Sequence, residues 1–305
     1  MQTRRKFLAT AGSTIAVTST AKAAGTPLLS FGLMADCQYA DAETRGSRFY
    51  RESPRKLAEA VDELNRRELA FTFHLGDFID RDFESFDDLA PIMEKLKSPL
   101  RHALGNHDFD VADEFKAQVP GKLGLERGYY SFRRAGFHFI VIDTTEISPY
   151  RNPASTAQDK AAEAELGKLK SAGSLAAKPS NGRPGDDQIA WLEGELIAAK
   201  AANQTALVFG HHPILPFAGH SIWNATALDE ILQKHRAAKL YINGHNHAGG
   251  YANADGFHYL TLDGMLETKD QNAFAVVDLY SDRLELTGFG RQESQTLEFR
   301  TLIQA

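Results

Sequence analysis

Five short clusters of polar side chains stand out because each one follows a run of apolar residues. The clusters are Asp36-Cys37-Gln38, Gly76-Asp77, Gly105-Asn106-His107-Asp108, Gly210-His211 and Gly244-His245-Asn246-His247. They contribute mostly carboxylate, amide and imidazole groups, which bind divalent metal ions in proteins. One such residue alone is usually a turn or core residue. Five clusters in the same position relative to an apolar run predict a convergent metal site.

The apolar runs before these clusters are typical of buried strands, and amphipathic stretches between them are typical of helices. We expect strands at 28–35, 71–75, 100–104, 206–209 and 240–243, and helices at 53–67, 85–96, 187–201 and 226–235. This alternation predicts an α/β fold whose polar groups gather at strand ends. Glycine precedes four of the five clusters, where we expect it to allow a sharp turn.

Two further regions predict a second layer of strands. Residues 129–143 fit a hairpin around Ala135-Gly136, and residues 257–288 alternate short apolar runs with turn residues. The segment 148–185 is polar and contains four prolines, so we expect a surface excursion with one short helix at 160–170.

Composition limits the classes of partner. The chain has 305 residues, of which 43% are hydrophobic and 24% charged, which suits a single soluble domain. Its net charge of -6, with Lys and Arg spread along the sequence, argues against a nucleic acid duplex as partner. Cys37 is the only cysteine and cannot form an internal disulfide.

The N-terminus resembles a twin-arginine signal peptide. Arg4-Arg5 is followed by a weakly apolar stretch and by Ala21-Lys22-Ala23, which fits a small-x-small cleavage site. We therefore expect residues 1–23 to be the signal and 24–305 the catalytic domain, exported by the twin-arginine machinery to the periplasm or medium. The apolar part, 7–17, is too short to be a stable membrane anchor. A disordered N-terminal tail is the alternative.

Four of the clusters, extended by their neighbours, resemble the motifs of calcineurin-like metallophosphoesterases. They are Gly76-Asp77-Phe78-Ile79-Asp80-Arg81, Gly105-Asn106-His107-Asp108, Gly210-His211-His212-Pro213 and Gly244-His245-Asn246-His247. The family's first motif is usually Asp-x-His, whereas this chain has Asp36-Cys37-Gln38, the form seen in the manganese-dependent ADP-ribose/CDP-alcohol diphosphatase branch. The stretches 35–41, 48–51 and 262–268 are also similar to that branch, although the loop between Asp41 and Arg48 is shorter. The resemblance implies a four-layer αββα sandwich of two mixed β-sheets flanked by helices.

The resemblance also implies a ligand set for two divalent metal ions. Metal one is assigned to Asp36, Gln38, Asp77 and His247, and metal two to Asp77, Asn106, His211 and His245. Because Gln38 replaces an imidazole by an amide oxygen, we expect Mn²⁺, with Fe and Zn as alternatives. A water that bridges two such ions loses its proton near neutral pH and can attack phosphorus. Asp80 stands where a purple acid phosphatase would have a tyrosine ligand, which disfavours that subclass.

Three further residues have roles implied by the family. His107 is expected to be the general acid, Asp80 the carboxylate that orients it, and Arg81 a clamp on a phosphate oxygen. The alternatives are a buried salt bridge for Asp80 and a surface ion pair for Arg81. The remaining histidines are expected to be structural, and for Arg48 and Arg51 we favour solvation of a helix start over substrate contact.

The predicted activity is hydrolysis of small phosphorylated substrates that are linked through a nucleoside diphosphate, of the ADP-ribose or CDP-alcohol type. The alternative is an exported phosphodiesterase or phosphomonoesterase of broad specificity that scavenges phosphate. A non-catalytic scaffold is a third hypothesis. Scaffolds tend to lose metal ligands, and all seven positions here carry usable side chains.

Overall fold

The computed structural model describes residues 25–300, so the predicted signal at 1–23 lies outside the described part of the chain. The helices are α1 (Ser53–Leu64), α2 (Ser85–Met93), α3 (Val119–Lys122), α4 (Ala157–Ser171), α5 (Asp186–Ala201) and α6 (Ala225–Lys234). The strands are β1 (Leu29–Met34), β2 (Thr72–Leu75), β3 (Leu100–Ala103), β4 (Tyr130–Arg134), β5 (Phe137–Val141), β6 (Thr205–Phe209), β7 (Ala238–Asn243), β8 (Ala248–Ala254), β9 (Phe257–Asp263), β10 (Ala273–Leu279), β11 (Arg283–Gly290) and β12 (Gln295–Glu298).

The strands form two mixed sheets of six. Sheet one has the order β12-β11-β10-β1-β2-β3, in which β1, β2 and β3 are parallel and the other pairs antiparallel. Sheet two has the order β4-β5-β6-β7-β9-β8, in which β5, β6, β7 and β9 are parallel. Parallel strands present their carboxyl ends at one edge, and this edge carries the polar clusters.

Three hydrophobic clusters hold the layers together and confirm the αββα sandwich. The central cluster fills the space between the sheets and includes Phe31, Phe73 and Phe209, all fully buried. Phe31 contacts four other phenylalanine rings, with centroids 5.1–6.2 Å apart. The second cluster joins sheet one to α1 and α2, and the third joins sheet two to α5 and α6.

The predicted helices and strands are present, with shifted ends. The helix α1 buries one face through Leu57, Ala60, Val61 and Leu64 and stops at Leu64, three residues earlier than predicted. The short helix predicted at 160–170 is the longer α4, whose first turn is capped by the Thr156 hydroxyl.

Two strands were missed, for a physical reason. β8 contains a Gly-Gly pair and no buried residue, and β12 is a four-residue edge strand. Edge strands bury little surface, so apolar alternation does not mark them. The hairpin turn at Ala135-Gly136 is confirmed, with both residues at positive φ. Within residues 25–300, no helix has the length and hydropathy required to cross a bilayer.

Candidate metal centre

The predicted ligands come together where the parallel strands of the two sheets end. Asp36 and Asp77 follow the neighbouring strands β1 and β2 of sheet one, and His211 and His245 follow the neighbouring strands β6 and β7 of sheet two. The site therefore spans the edge of the sandwich.

All seven predicted ligands are buried, with at most 9% of any residue exposed. His211 Nε2 lies 3.2 Å from Asp77 Oδ2 and 3.3 Å from Asn106 Oδ1. His247 Nε2 lies 3.5 Å from Asp36 Oδ1. The ligand atoms of Asp36, Asp77 and His247 all lie within 4.8 Å of one another. The structure therefore brings predicted ligands from separate segments of the chain close together.

The backbone is strained at four of the seven positions. Asp36, Gln38, Asp77 and His245 have φ of 53°, 48°, 55° and 67°, in the left-handed region that non-glycine residues rarely adopt. Such conformations cost on the order of 1–3 kcal/mol each and cluster at functional sites, where the surroundings enforce them. Among residues 25–300, four of the ten non-glycine residues with positive φ are thus predicted ligands.

The glycines before the clusters have a different role from the predicted one. Of the four, only Gly76 has a positive φ, of 91°. A Cβ at Gly76 would lie 2.5 Å from His211 Nδ1, and a Cβ at Gly244 would lie 2.6 Å from Asp36 Oδ2. Glycine is therefore required mainly because the strand ends approach each other closely, and less because the chain turns sharply.

Asp108 fixes the strand ends from beneath the site. It is fully buried, and its carboxylate accepts hydrogen bonds from the backbone N–H groups of Asp77, Phe78, Ile79 and Gly105, at 2.7–3.3 Å. It thereby holds the loops after β2 and β3 together.

The three histidines are each oriented by a hydrogen bond on the nitrogen that faces away from the site. His211 Nδ1 donates to the Leu75 carbonyl at 2.8 Å, and His247 Nδ1 donates to Glu267 Oε1 at 2.8 Å. His245 Nε2 donates to Asn181 Oδ1 at 3.0 Å. These partners fix the ring and the tautomer, and so leave the other nitrogen free to bind a metal ion.

Sequence reasoning missed the orienting roles of Glu267 and Asn181. Asn181 is fully buried in the segment that we predicted to be a surface excursion. Its Nδ2 donates to the carbonyls of Ala176, Gly219 and Ser221, so its oxygen faces His245. No spacing or periodicity in 148–185 distinguishes this residue from other loop asparagines.

The carboxylates of the site favour cations, and their effect is visible in the pKa values of the histidines. Burial alone would lower the pKa of His211 and His247, but the nearby carboxylates, Asp77 for His211 and Asp36 with Glu267 for His247, raise each pKa to about 9. Burial would raise the pKa of Asp77, but His211 and His107 hold it below its usual value. Burial and the neighbouring histidines His212 and His211 lower the pKa of His245, which keeps its ring neutral.

Two buried oxygen atoms test whether metal ions fit this site. Gln38 Oε1 and Asp77 Oδ2 are buried and accept no hydrogen bond within the part of the chain that the structure describes, although Asp77 Oδ2 lies 3.2 Å from His211 Nε2. An unpaired buried acceptor costs on the order of 1–3 kcal/mol, so it needs a partner. Divalent ions would satisfy both oxygens, and the set of carboxylate, amide and imidazole donors suits them. The residues therefore fit two divalent ions.

His212 lies beside the site but is committed elsewhere. Its ring belongs to a compact group with His211 and His245. However, His212 Nδ1 is bonded to Thr144 Oγ1 at 2.7 Å and Nε2 to the Ser180 carbonyl at 3.0 Å. Both nitrogens are occupied, which agrees with the predicted structural role.

A cleft of about 510 Å³ opens beside His107. His107 Nδ1 lies 3.0 Å from Asp80 Oδ1, and Arg81 Nε lies 3.6 Å from the same oxygen. Burial lowers the pKa of His107, but the charge of Asp77 and the hydrogen bond to Asp80 outweigh this effect and raise it. The cleft is lined by Glu43, Arg45, Arg48, Tyr50, Asp80, Arg81, His107 and Asp110.

The structure places Arg48 and His220 beside the site and leaves the expectation for Arg51 unchanged. Arg48 lines the cleft with His107, although we had favoured a solvated helix start. Arg51 does pair with exposed acids, Asp41 and Glu43, each at 2.5 Å. His220, predicted to be structural, is exposed, and its ring centroid is 5.4 Å from that of His245.

The fold and this site define a phosphoesterase. Residues 29–249 match the family model described as "Calcineurin-like phosphoesterase", and the chain belongs to that family. It is a metallophosphoesterase, with two mixed sheets and a buried metal-ligand cluster at their carboxyl edge.

Within the family, the chain is similar to proteins named manganese-dependent ADP-ribose/CDP-alcohol diphosphatase. The Arabidopsis thaliana protein of that name is 31% identical over 309 residues, covering 90% of this chain and 99% of the relative. The Xenopus tropicalis protein of that name is 30% identical, covering 90% and 95%. The crystal structure of a dimetal phosphatase from Danio rerio superposes with a TM-score of 0.78 at 26% identity, covering 90% of this chain and all of that one.

Proposed function

We propose that this chain is a manganese-dependent hydrolase that cleaves the P–O–P bond of nucleoside-diphosphate-linked substrates of the ADP-ribose or CDP-alcohol type. The names of its relatives support the metal and the substrate class. Metal one would be held by Asp36, Gln38, Asp77 and His247, and metal two by Asp77, Asn106, His211 and His245, with Asp77 common to both sets.

Two ions bound there would lower the pKa of a water molecule and neutralise charge on the phosphoryl group. The chain supplies the remaining chemistry. His107, held by Asp80, donates a proton to the leaving-group oxygen. Arg81, whose guanidinium also packs 4.8 Å over the Tyr50 ring, is placed to hold a phosphate oxygen.

One observation favours a diphosphate over a simple phosphate monoester. The cleft beside His107 is lined by three arginines, Arg45, Arg48 and Arg81, and by three acids, of which Asp80 is bonded to His107 and Glu43 is paired with Arg51. A monoester presents one phosphoryl group, which the two ions and one arginine would suffice to neutralise. Three guanidinium groups on the leaving-group side suit a second phosphoryl group there.

The test compares substrates that differ in this second phosphoryl group. Purified protein with Mn²⁺ is assayed for kcat/KM on ADP-ribose, CDP-choline, bis(4-nitrophenyl) phosphate and 4-nitrophenyl phosphate. We expect Arg48→Ala to reduce kcat/KM for ADP-ribose at least about tenfold more than for the aryl monoester. The control is Arg66→Ala, since Arg66 is exposed and forms an ion pair with Glu63 on the same surface. A preference of the wild type for the aryl monoester would establish the scavenging phosphatase instead.

We also propose export by the twin-arginine route, on the basis of Arg4-Arg5 and Ala21-Lys22-Ala23. Cell fractionation of the full chain should place it outside the cytoplasm, and Arg4→Lys/Arg5→Lys should retain it inside. Equal distribution of both forms would contradict export.

A further inference from the structure

Lys56 is a fully buried lysine in α1 whose ammonium group, within residues 25–300, forms hydrogen bonds to backbone carbonyls only. Nζ donates to the carbonyl oxygens of Met265 at 2.5 Å, Glu267 at 3.1 Å and Thr268 at 2.9 Å. An ammonium group has three donors, and all three are used. Among residues 25–300, no carboxylate forms an ion pair with Lys56. Burying a charge without a counterion is costly, so its position requires an explanation.

The three carbonyls belong to the loop 264–268, whose N–H groups are held from the other side. Leu266 N–H donates to the Asp36 carbonyl at 3.0 Å, and Thr268 N–H donates to the Ser47 carbonyl at 3.0 Å. The peptide group between residues 265 and 266 is therefore fixed at its oxygen by Lys56 and at its nitrogen by Asp36. The peptide group between residues 267 and 268 is fixed in the same way by Lys56 and Ser47.

Glu267 lies between these two clamped peptide groups and reaches His247. Its Oε1 accepts the 2.8 Å hydrogen bond from His247 Nδ1, and Gly264 N–H donates to the His247 carbonyl at 3.1 Å. Without Lys56, one buried carbonyl and two partly buried carbonyls would lose their donor, and the loop would have to turn them toward other partners. That rotation would move the Glu267 carboxylate.

We propose that Lys56 is a positioning residue for metal one: by clamping the 264–268 loop, it sets the orientation of His247 through Glu267. The inference rests on the proposed assignment of His247 as a ligand. Partners that orient a metal-binding histidine typically affect metal affinity by about 10- to 100-fold. Lys56 is one contact further from the metal than Glu267 is, so we expect a change in metal affinity near the lower end of that range.

Lys239 provides a matched control. It is also a buried lysine, 4% exposed, and its Nζ donates to the carbonyls of Arg236 and Arg300, each at 2.8 Å. It lies near the start of β7, whereas the metal centre lies beyond the end of that strand. Replacing Lys239 by methionine removes a comparable buried ammonium without touching the loop or the site.

The experiment measures Mn²⁺ binding to the full-chain protein by electron paramagnetic resonance and calorimetry, without substrate. We expect Lys56→Met to weaken one of two bound ions about tenfold, and Lys239→Met to bind both as the wild type does. The shorter amide of Lys56→Gln retains a donor and should give an intermediate affinity, and it also serves if Lys56→Met does not fold. Thermal unfolding of all variants separates loss of stability from loss of affinity.

His247→Ala separates failure of this inference from failure of the ligand assignment. It should bind one ion. If it does, and Lys56→Met and Lys56→Gln bind Mn²⁺ as tightly as Lys239→Met, Lys56 has only a structural role. If His247→Ala binds both ions with wild-type affinity, both the assignment of His247 as a ligand and the positioning role of Lys56 are contradicted.

Discussion

Replacing Asp80 by asparagine should shift the alkaline limit of activity to lower pH. Asp80 is 2% exposed, and its carboxylate lies 3.0 Å from Nδ1 of His107, whose side chain is 22% exposed. A hydrogen bond to a charged group contributes about 1.5–3 kcal/mol, and 1.36 kcal/mol corresponds to one pKa unit. Loss of the carboxylate charge should therefore lower the pKa of His107 by roughly one to two units.

The sign follows from the role of His107 as an acid. A general acid must be protonated, so kcat/KM falls as the pH rises through its pKa. Because Asp80 and Asp77 raise that pKa, the wild type should keep activity to higher pH than Asp80→Asn does. The assay is the pH dependence of kcat/KM on ADP-ribose at saturating Mn²⁺.

Asp110→Asn is the control for this experiment. Asp110 also lies near His107 and lines the same cleft, but it is exposed, so water screens its charge. Asp110→Asn should therefore shift the alkaline limb of the pH profile of kcat/KM much less than Asp80→Asn does. The reasoning is refuted if the limb of Asp80→Asn coincides with that of the wild type, or if activity falls equally at every pH with loss of bound metal.

Three other perturbations should have measurable outcomes. Asn181→Leu should weaken Mn²⁺ binding about tenfold in calorimetry, because it removes the hydrogen-bond acceptor that fixes the His245 ring. Unchanged affinity would show that packing alone holds the His245 ring. Mn²⁺ affinity should rise by about tenfold or more per pH unit between pH 6 and 7.5, since His211 and His247, with pKa about 9, must release protons to bind the ion. An affinity that does not change with pH would contradict the assignment of these histidines as ligands. Phe31→Ala should lower the free energy of unfolding in urea by about 3–5 kcal/mol, because Phe31 is a fully buried ring between the sheets. A loss below about 1 kcal/mol would mean that the core collapses into the space that the ring leaves.

The parts of this site that could be predicted are those with a local signal. Asp36, Asp77 and His211 each follow an apolar run of strand length, and the carboxyl ends of neighbouring parallel strands must meet at one edge. That the candidate ligands from these strand ends lie close together was therefore predictable from the sequence. The helix ends shifted by up to three residues because contacts beyond the local sequence determine where a helix stops.

The residues that orient the ligands could not be predicted in the same way. Asn181 lies 64 residues from His245 in the sequence, and Lys56 lies 209 residues from Met265. Their roles depend on a contact between distant segments, and neither residue type is unusual for a loop or a helix. The position of Arg48 is not predictable for the same reason, because its sequence neighbours indicate a helix start while the fold places it beside His107.

Gln38 links the metal centre to the acid, which explains why an amide suits this position. Gln38 Nε2 donates to Asp80 Oδ2 at 3.3 Å, while Gln38 Oε1 is buried without a partner. The reverse orientation of the amide would set two oxygens against each other, so the network assigns the oxygen to the metal side. Asp80 in turn holds His107. In the proposed assignment, one planar amide thus offers an oxygen to metal one and donates a hydrogen bond to the carboxylate that positions His107. Gln38→Glu would keep the oxygen ligand but lose that donor, and would place a second carboxylate against Asp80. It should therefore retain Mn²⁺ in calorimetry while the alkaline limb of kcat/KM moves to higher pH, since the added negative charge raises the pKa of His107.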